Sequence, residues 1–153
     1  THVSPRLGPA FVTRTSTGAV GGTVAGRQTK LCLGNLDACR DWGYAPEYVD
    51  AMWRMLQKEQ PDDFVIATGE THSVQEFLDI AFSLVGRVPQ EHVVVDPRYL
   101  RPTEVDELRG DASKAAEILD WRPQTTFREL VRIMVEADLQ GAGVDPATVM
   151  VAS

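Results

Sequence analysis

Two capping boxes constrain the fold more than any other feature of this chain. In Ser73-Val74-Gln75-Glu76, and again in Thr126-Phe127-Arg128-Glu129, the hydroxyl can accept the N–H of the residue three positions on while the glutamate reaches back. Apolar residues follow each box at helical spacing. Behind the first come Val74, Phe77, Leu78, Ala81 and Val85, and Gly86 closes the run. Behind the second come Phe127, Leu130, Val131 and Met134. The pattern predicts two amphipathic helices. A third is predicted from about Pro46 to Lys58. Proline suits its first turn, and Val49, Met52, Trp53 and Leu56 recur as its apolar face. That places Trp53 in the core, with Met52, Met55 and Met134 as core fillers. Ser113 caps a short fourth helix running to Asp120.

The strand signals are fewer. Residues 30–35 read as a short strand closing on Gly34-Asn35, 63–68 as a buried strand ending at Gly69, and 91–95 as a strand bounded by Asp96-Pro97. Residues 1–10 and 98–110 read as loops, the second with at most a short strand. Residues 11–26 are ambiguous. They carry Gly18, Gly21 and Gly22, each costing a helix about 1 kcal/mol against Ala, so only tertiary packing could hold them helical. Residues 141–153 show no periodicity and are expected to form a tail. Mixed strands and helices give an α/β or α+β class, with too few strands for a complete dinucleotide-binding domain.

The chain has 153 residues and a net charge of -7. That charge disfavours a nucleic-acid partner, since phosphate backbones are held by clustered Lys and Arg. A few placed arginines can still focus a field on a small anion. No apolar run is long enough to span a bilayer, and no secretory signal pattern is present. The expected setting is cytoplasmic, with Cys32 and Cys39 as buried or partly buried free thiols. Their C-x6-C spacing fits no zinc or redox pattern. A start at Thr1 rather than Met leads us to expect a fragment.

The usual catalytic constellations are missing from these residues. There is no G-x-G-x-x-G after a strand, no P-loop, no H-E-x-x-H and no Tyr-x-x-x-Lys. His2, His72 and His92 are scattered, and no metal site is expected. Two arginines remain. Arg40 sits in Cys39-Arg40-Asp41-Trp42-Gly43, between a strand and a helix, and Arg101 precedes the stiffening Pro102. Guanidinium groups pair with phosphate oxygens in a bidentate way, so the two could clamp a diphosphate. Glu104 could accept from a vicinal diol. On the residues alone, surface ion pairs of Arg40 with Asp37 or Asp41, and of Arg101 with Asp106, remain an open alternative. Trp42 and Trp121 could stack on a base or sit in the core.

Longer stretches carry a resemblance. HVSPRLGPAFVTR, LGNLDACRDWGYAPEYVDAMWRMLQ, DFVIATGETHSVQEFLDIAF, VDPRYLRPTEVDELRGD and WRPQTTFRELVRIMVEADL, in that order over residues 2–139, resemble the GDP-mannose 4,6-dehydratase family of extended short-chain dehydrogenases/reductases. The resemblance implies the C-terminal, substrate-binding portion of an incomplete Rossmann-type enzyme. Residues 1–29 would join an NADP-binding domain, 30–139 would hold the nucleotide sugar, and 140–153 would be the tail. The family converts GDP-mannose to GDP-4-dehydro-6-deoxy-mannose by internal redox dehydration, and the full enzyme is a homo-oligomer. Its Thr, Ser/Glu, Tyr and Lys catalysts would lie upstream of Thr1, so no catalytic residue is carried over. By position, Arg40 and Arg101 match diphosphate-binding arginines, Glu104 a ribose or guanosine contact, Gly34 and Asn35 the nucleotide-lining segment, and His2 a histidine near NADP.

The departures cluster before residue 30. Leu7 stands where the family has an arginine that helps bind NADP, and Thr15 where it has a lysine. Gly18, Gly21 and Gly22 are gained in the following segment, and Tyr44 replaces a histidine. Binding by this chain alone would therefore favour GDP-mannose over NADP. The alternatives are a stand-alone non-catalytic GDP-sugar-binding protein, or a degenerate remnant acting only as an interaction module.

Overall fold

A computed structural model describes residues 1–100, 105 and 107–151. In chain order the elements are β1 (His2–Val3), α1 (Val12–Val24), β2 (Leu31–Leu33), β3 (Cys39–Arg40), β4 (Gly43–Tyr44), α2 (Ala45–Leu56), β5 (His72–Ser73), α3 (Val74–Ser83), β6 (Val93–Val95), β7 (Glu107–Leu108), α4 (Ser113–Ile118), α5 (Phe127–Gly141) and α6 (Pro146–Val149). Short 3-10 turns at Pro89–Glu91 and Pro97–Tyr99 flank β6. The class is mixed α/β with few and short strands.

The strands form three small ladders among the described residues. β1 pairs with β4 in parallel, and β2 with β6 in parallel. β3 is central to the third, antiparallel to β5 and parallel to β7. The core lies instead between helices. α1, α3 and α5 pack together through Val20, Phe77, Leu78, Phe82, Val131, Met134 and Val135, with Val3, Leu31 and Trp42 closing one end. A second cluster joins Tyr48 and Ala51 of α2 to Ala115, Leu119 and Trp121.

Both capping boxes close as the sequence predicts. The Ser73 hydroxyl accepts the Glu76 N–H at 3.0 Å while Glu76 accepts the Ser73 N–H, and Thr126 and Glu129 do the same for α5. The ambiguous segment is a 13-residue helix, α1. Tertiary contact holds it. Thr17 Oγ1 donates to the buried Asp138 carboxylate at 2.6 Å, and Arg14 pairs with the same carboxylate.

Several expectations are corrected. Residues 61–68 join no ladder among the described residues. The end of the segment is held by a side chain instead: the buried Asp41 carboxylate accepts the Thr68 N–H at 2.9 Å and the Gly69 N–H at 3.0 Å. Helix α2 buries Tyr48 and Ala51, whereas the expected core face of Val49, Met52, Trp53 and Leu56 is exposed. Helical periodicity marks an apolar stripe but does not say what covers it. Ser113 does not cap α4 but is its first residue; the N-cap is Ala112, which has no side-chain cap, and Asp111 before it accepts the Ser113 N–H at 2.9 Å. Cys32 is exposed and Cys39 partly so, neither in a disulfide. Residues beyond 141 turn back on the body, and Val144, Val149 and Met150 pack against the main core.

Candidate functional site

The segment between β2 and α2 gathers three of the sequence-marked residues around one cavity. β2 ends at Leu33, and Gly34 and Asn35 follow it. A Cβ on Gly34 would fall into the backbone carbonyl of Tyr99, so this close crossing of two chains requires glycine. Asn35 Oδ1 accepts the Asp37 N–H at 2.9 Å, an Asx turn that swings the chain into β3.

Arg40 leaves the end of β3. Its Nη1 donates to the carbonyls of Cys39 and Val105, both at 2.7 Å. Asp41 beside it anchors the strand from below. Its carboxylate is 5% exposed and accepts from Thr68 N, Thr68 Oγ1, Gly69 N and Gly110 N. Asp41 thus ties the loops that bracket β3 to that strand.

Gly34, Asn35 and Arg40 line a cavity of about 420 Å³ together with Leu7, Phe11, Thr15, Cys32, Trp42 and Tyr99. Its walls are mainly apolar, and the polar groups among them include the Arg40 guanidinium, the Asn35 amide and the threonines Thr1, Thr13 and Thr15. Phe11 and Tyr99 are each 58% exposed. Such a site suits an organic ligand with an anionic end. Thr15 directs its hydroxyl to the carbonyls of Pro9 and Phe11 at 2.8 and 2.9 Å. Leu7 packs against the core.

Of the remaining marked residues among those described, only Trp42 touches the cavity. Arg101 and Glu104 are outside the described residues. His2 does not line the cavity. Alternation along β1 turns Thr1 and Val3 toward it, while the exposed His2 ring lies 5.7 Å from that of Tyr48. Trp42 and Trp121 are core residues, 4% and 2% exposed, and Trp42 stacks on Phe127 at 6.0 Å. Among the described residues no group of His, Cys, Asp and Glu could hold a metal ion.

Sequence reading missed Phe11 and Tyr99 as lining residues. Phe11 offered a signal, being a large apolar residue at a helix N-terminus, where no side-chain oxygen caps α1. A larger hollow of about 640 Å³ lies between Thr68–Gly69, Arg109–Ser113 and Trp121–Pro123. It contains none of the marked residues, so size alone does not decide the site.

The family model for GDP-mannose 4,6 dehydratase matches residues 1–134. The chain belongs to the GDP-mannose 4,6-dehydratase family. GDP-mannose 4,6 dehydratase 1 of Arabidopsis thaliana is 58% identical over 139 residues, which is 91% of this chain and 38% of that protein. The Homo sapiens GDP-mannose 4,6 dehydratase is 46% identical, over 95% of this chain and 44% of that protein. This member of the family therefore spans about four-tenths of the length of the relatives it matches.

Solved structures agree on the fold. RMD from Pseudomonas aeruginosa, complexed with NADPH, superposes with a TM-score of 0.83 at 18% identity, over 92% of this chain and 46% of that one. UDP-glucose 4-epimerase from Thermotoga maritima, with UDP-glucose, gives 0.78 at 23%, over 92% and 44%. These residues contain no glycine-rich βα turn, His2 lies outside the cavity lining, and Leu7 carries no charge. No helix among the described residues is long and apolar enough to cross a membrane.

Proposed function

We propose that this chain is the GDP-mannose-binding portion of a GDP-mannose 4,6-dehydratase. The observation that carries the reading is the convergence of Gly34, Asn35 and Arg40 on one cavity within a family-matched chain. Arg40 supplies the diphosphate contact, Gly34 and Asn35 line the nucleotide, and the apolar walls take the base. Arg101 and Glu104 complete the set by resemblance, as second diphosphate arginine and ribose or guanosine acceptor.

In this reading the dehydration of GDP-mannose to GDP-4-dehydro-6-deoxy-mannose needs residues outside these 153. No Tyr-x-x-x-Lys pair is present to abstract a proton. NADP supplies the hydride acceptor of the family's reaction, and its binding here requires the rest of the fold, with His2 at its edge. The test is calorimetry with GDP-mannose, followed by activity when the missing portion is supplied by a relative. Binding without turnover by the chain alone is the expected result. Turnover by the chain alone would overturn the assignment of the chemistry to residues elsewhere.

A second reading, a binding protein that catalyses nothing in any context, is favoured by Leu7 and Thr15, which replace the charges expected near the cofactor. Restored turnover on complementation would exclude it.

A further inference from the structure

Thr13 is 1% exposed, and its hydroxyl has no hydrogen-bond partner among the described residues. The reason lies in its place in α1. The next three hydroxyls along the helix, on Thr15, Ser16 and Thr17, each donate to the carbonyl four residues back, at 2.9, 2.7 and 3.1 Å. Thr13 stands in the first turn, and the residue four before it, Pro9, lies ahead of the extended N-cap Phe11. No helical carbonyl stands one turn behind Thr13, and the Pro9 carbonyl is bonded by Thr15 Oγ1 at 2.8 Å instead. An unpaired buried hydroxyl is costly, so each one in a native fold calls for a physical reason.

Thr13 also belongs to the lining of the cavity that Gly34, Asn35 and Arg40 share. Tyr48, whose buried hydroxyl likewise lacks a partner among the described residues, does not. The stretch of wall supplied by the start of α1 is otherwise apolar or already satisfied. Ala10, Phe11 and Val12 bring no polar side-chain group, and the Thr15 hydroxyl is engaged by two backbone carbonyls. A threonine hydroxyl both donates and accepts, and it carries no charge. Phosphate oxygens are drawn instead to the Arg40 guanidinium, which lines the same cavity. A hexose would bring several hydroxyls to a stretch of wall that answers only one. A planar heterocyclic base fits better, with apolar faces and a few hydrogen-bonding groups at its edge.

We propose that Thr13 is a specificity-determining residue of the nucleotide-sugar site, its hydroxyl pairing with a polar edge group of the ligand's base. The inference rests on reading the chain as the GDP-mannose-binding portion of a dehydratase. It adds a contact that neither charge nor motif marks. The hydroxyl is kept unpaired in the empty cavity and gains its partner from the ligand. Removing it should therefore weaken binding without weakening the fold, which a threonine of purely structural role would not do.

The test pairs Thr13→Val, which keeps the shape and removes the hydroxyl, with Thr13→Ser, which keeps the hydroxyl. In the ligand-free chain Thr13→Val should melt no lower than wild type. A lower Tm would mean that the hydroxyl already has a partner in the fold, and would overturn the proposal. Calorimetric titration with GDP-mannose, and separately with GDP, should show Kd raised about tenfold in Thr13→Val for both ligands, and within about twofold of wild type in Thr13→Ser. An equal loss in both variants would make the effect one of shape and overturn the proposal. A loss confined to GDP-mannose would put the hydroxyl on the sugar and overturn the assignment to the base. Wild-type binding that Thr13→Val leaves unchanged refutes this inference alone. No heat from the folded wild-type chain refutes the functional reading, and this inference with it.

Discussion

A Cβ on Gly21 of α1 would lie 2.8 Å from the backbone carbonyl oxygen of Asp138 in α5. The two helices touch backbone to backbone at that point, and the Thr17 and Arg14 contacts to the Asp138 carboxylate flank it. Gly21→Ala should therefore destabilise the protein. The gain in helix propensity is about 1 kcal/mol, but the overpacking strain is about 1–3 kcal/mol. Gly18 is the control, because a Cβ there meets nothing within 4 Å. Gly18→Ala should stabilise by about 0.5–1 kcal/mol. Urea melts of the two variants should move in opposite directions.

Tyr48 is 5% exposed, and its hydroxyl has no hydrogen-bond partner among the described residues. Burial, reinforced by the Asp41 and Glu47 charges, pushes its pKa well above the ordinary 10.0. A raised folded-state pKa means the stability tied to the neutral phenol is complete below pH 10 and is lost as pH rises beyond it. Tyr48→Phe removes a desolvated hydroxyl that is not hydrogen-bonded. It should be neutral to stabilising, by about 1 kcal/mol at pH 7, and should flatten the alkaline limb of a Tm-against-pH curve.

The capping box of α5 gives the opposite pH dependence. The Thr126 hydroxyl and backbone N–H both bond Glu129, and they hold its carboxyl below the usual 4.5. The stabilisation is present above pH 4.5 and is lost as pH falls through the depressed folded value. Thr126→Val should lower Tm at pH 7, and the difference from wild type should shrink toward pH 3. Thr126→Ala at pH 7 should cost about 1 kcal/mol, as an N-cap loss does.

Asp41 joins β3 to two loops through Thr68, Gly69 and Gly110. Asp41→Asn replaces one accepting oxygen with a donor facing N–H groups. The loss should be about 2 kcal/mol or more, since the bonds are charge-assisted and buried. Asp41→Asn should also weaken any GDP-mannose binding by loosening the strand that carries Arg40. Chemical denaturation and calorimetry on the same sample check both effects.

Elements whose partners lie close in the chain were legible from the residues. The two capping boxes and the faces of α3 and α5 are set by local spacing, and they form as expected. Helix α1 was not legible, because its glycines argue against a helix until Asp138, more than a hundred residues away, supplies the close backbone contact that needs Gly21. The 63–68 segment reads as a strand from composition, but a strand is defined by a neighbour, and none joins it among the described residues. Trp53 shows the same limit. Its helical phase is evident from the spacing, but nothing among the described residues covers it. At the site, Gly34, Asn35 and Arg40 were marked by motif and the fold brings them together. Tyr99 was not, because an exposed aromatic side chain becomes significant only once the cavity is visible, and Phe11 offered only its place at a helix start with no side-chain cap.

The most direct measurement is a calorimetric titration of the folded chain with GDP-mannose, run on wild type and Arg40→Ala at equal concentration. The account predicts saturable heat for wild type and none for Arg40→Ala, with both retaining the same helical far-UV spectrum. No heat from a folded wild-type chain, or the same affinity in both, would contradict the claim that these residues hold the nucleotide sugar.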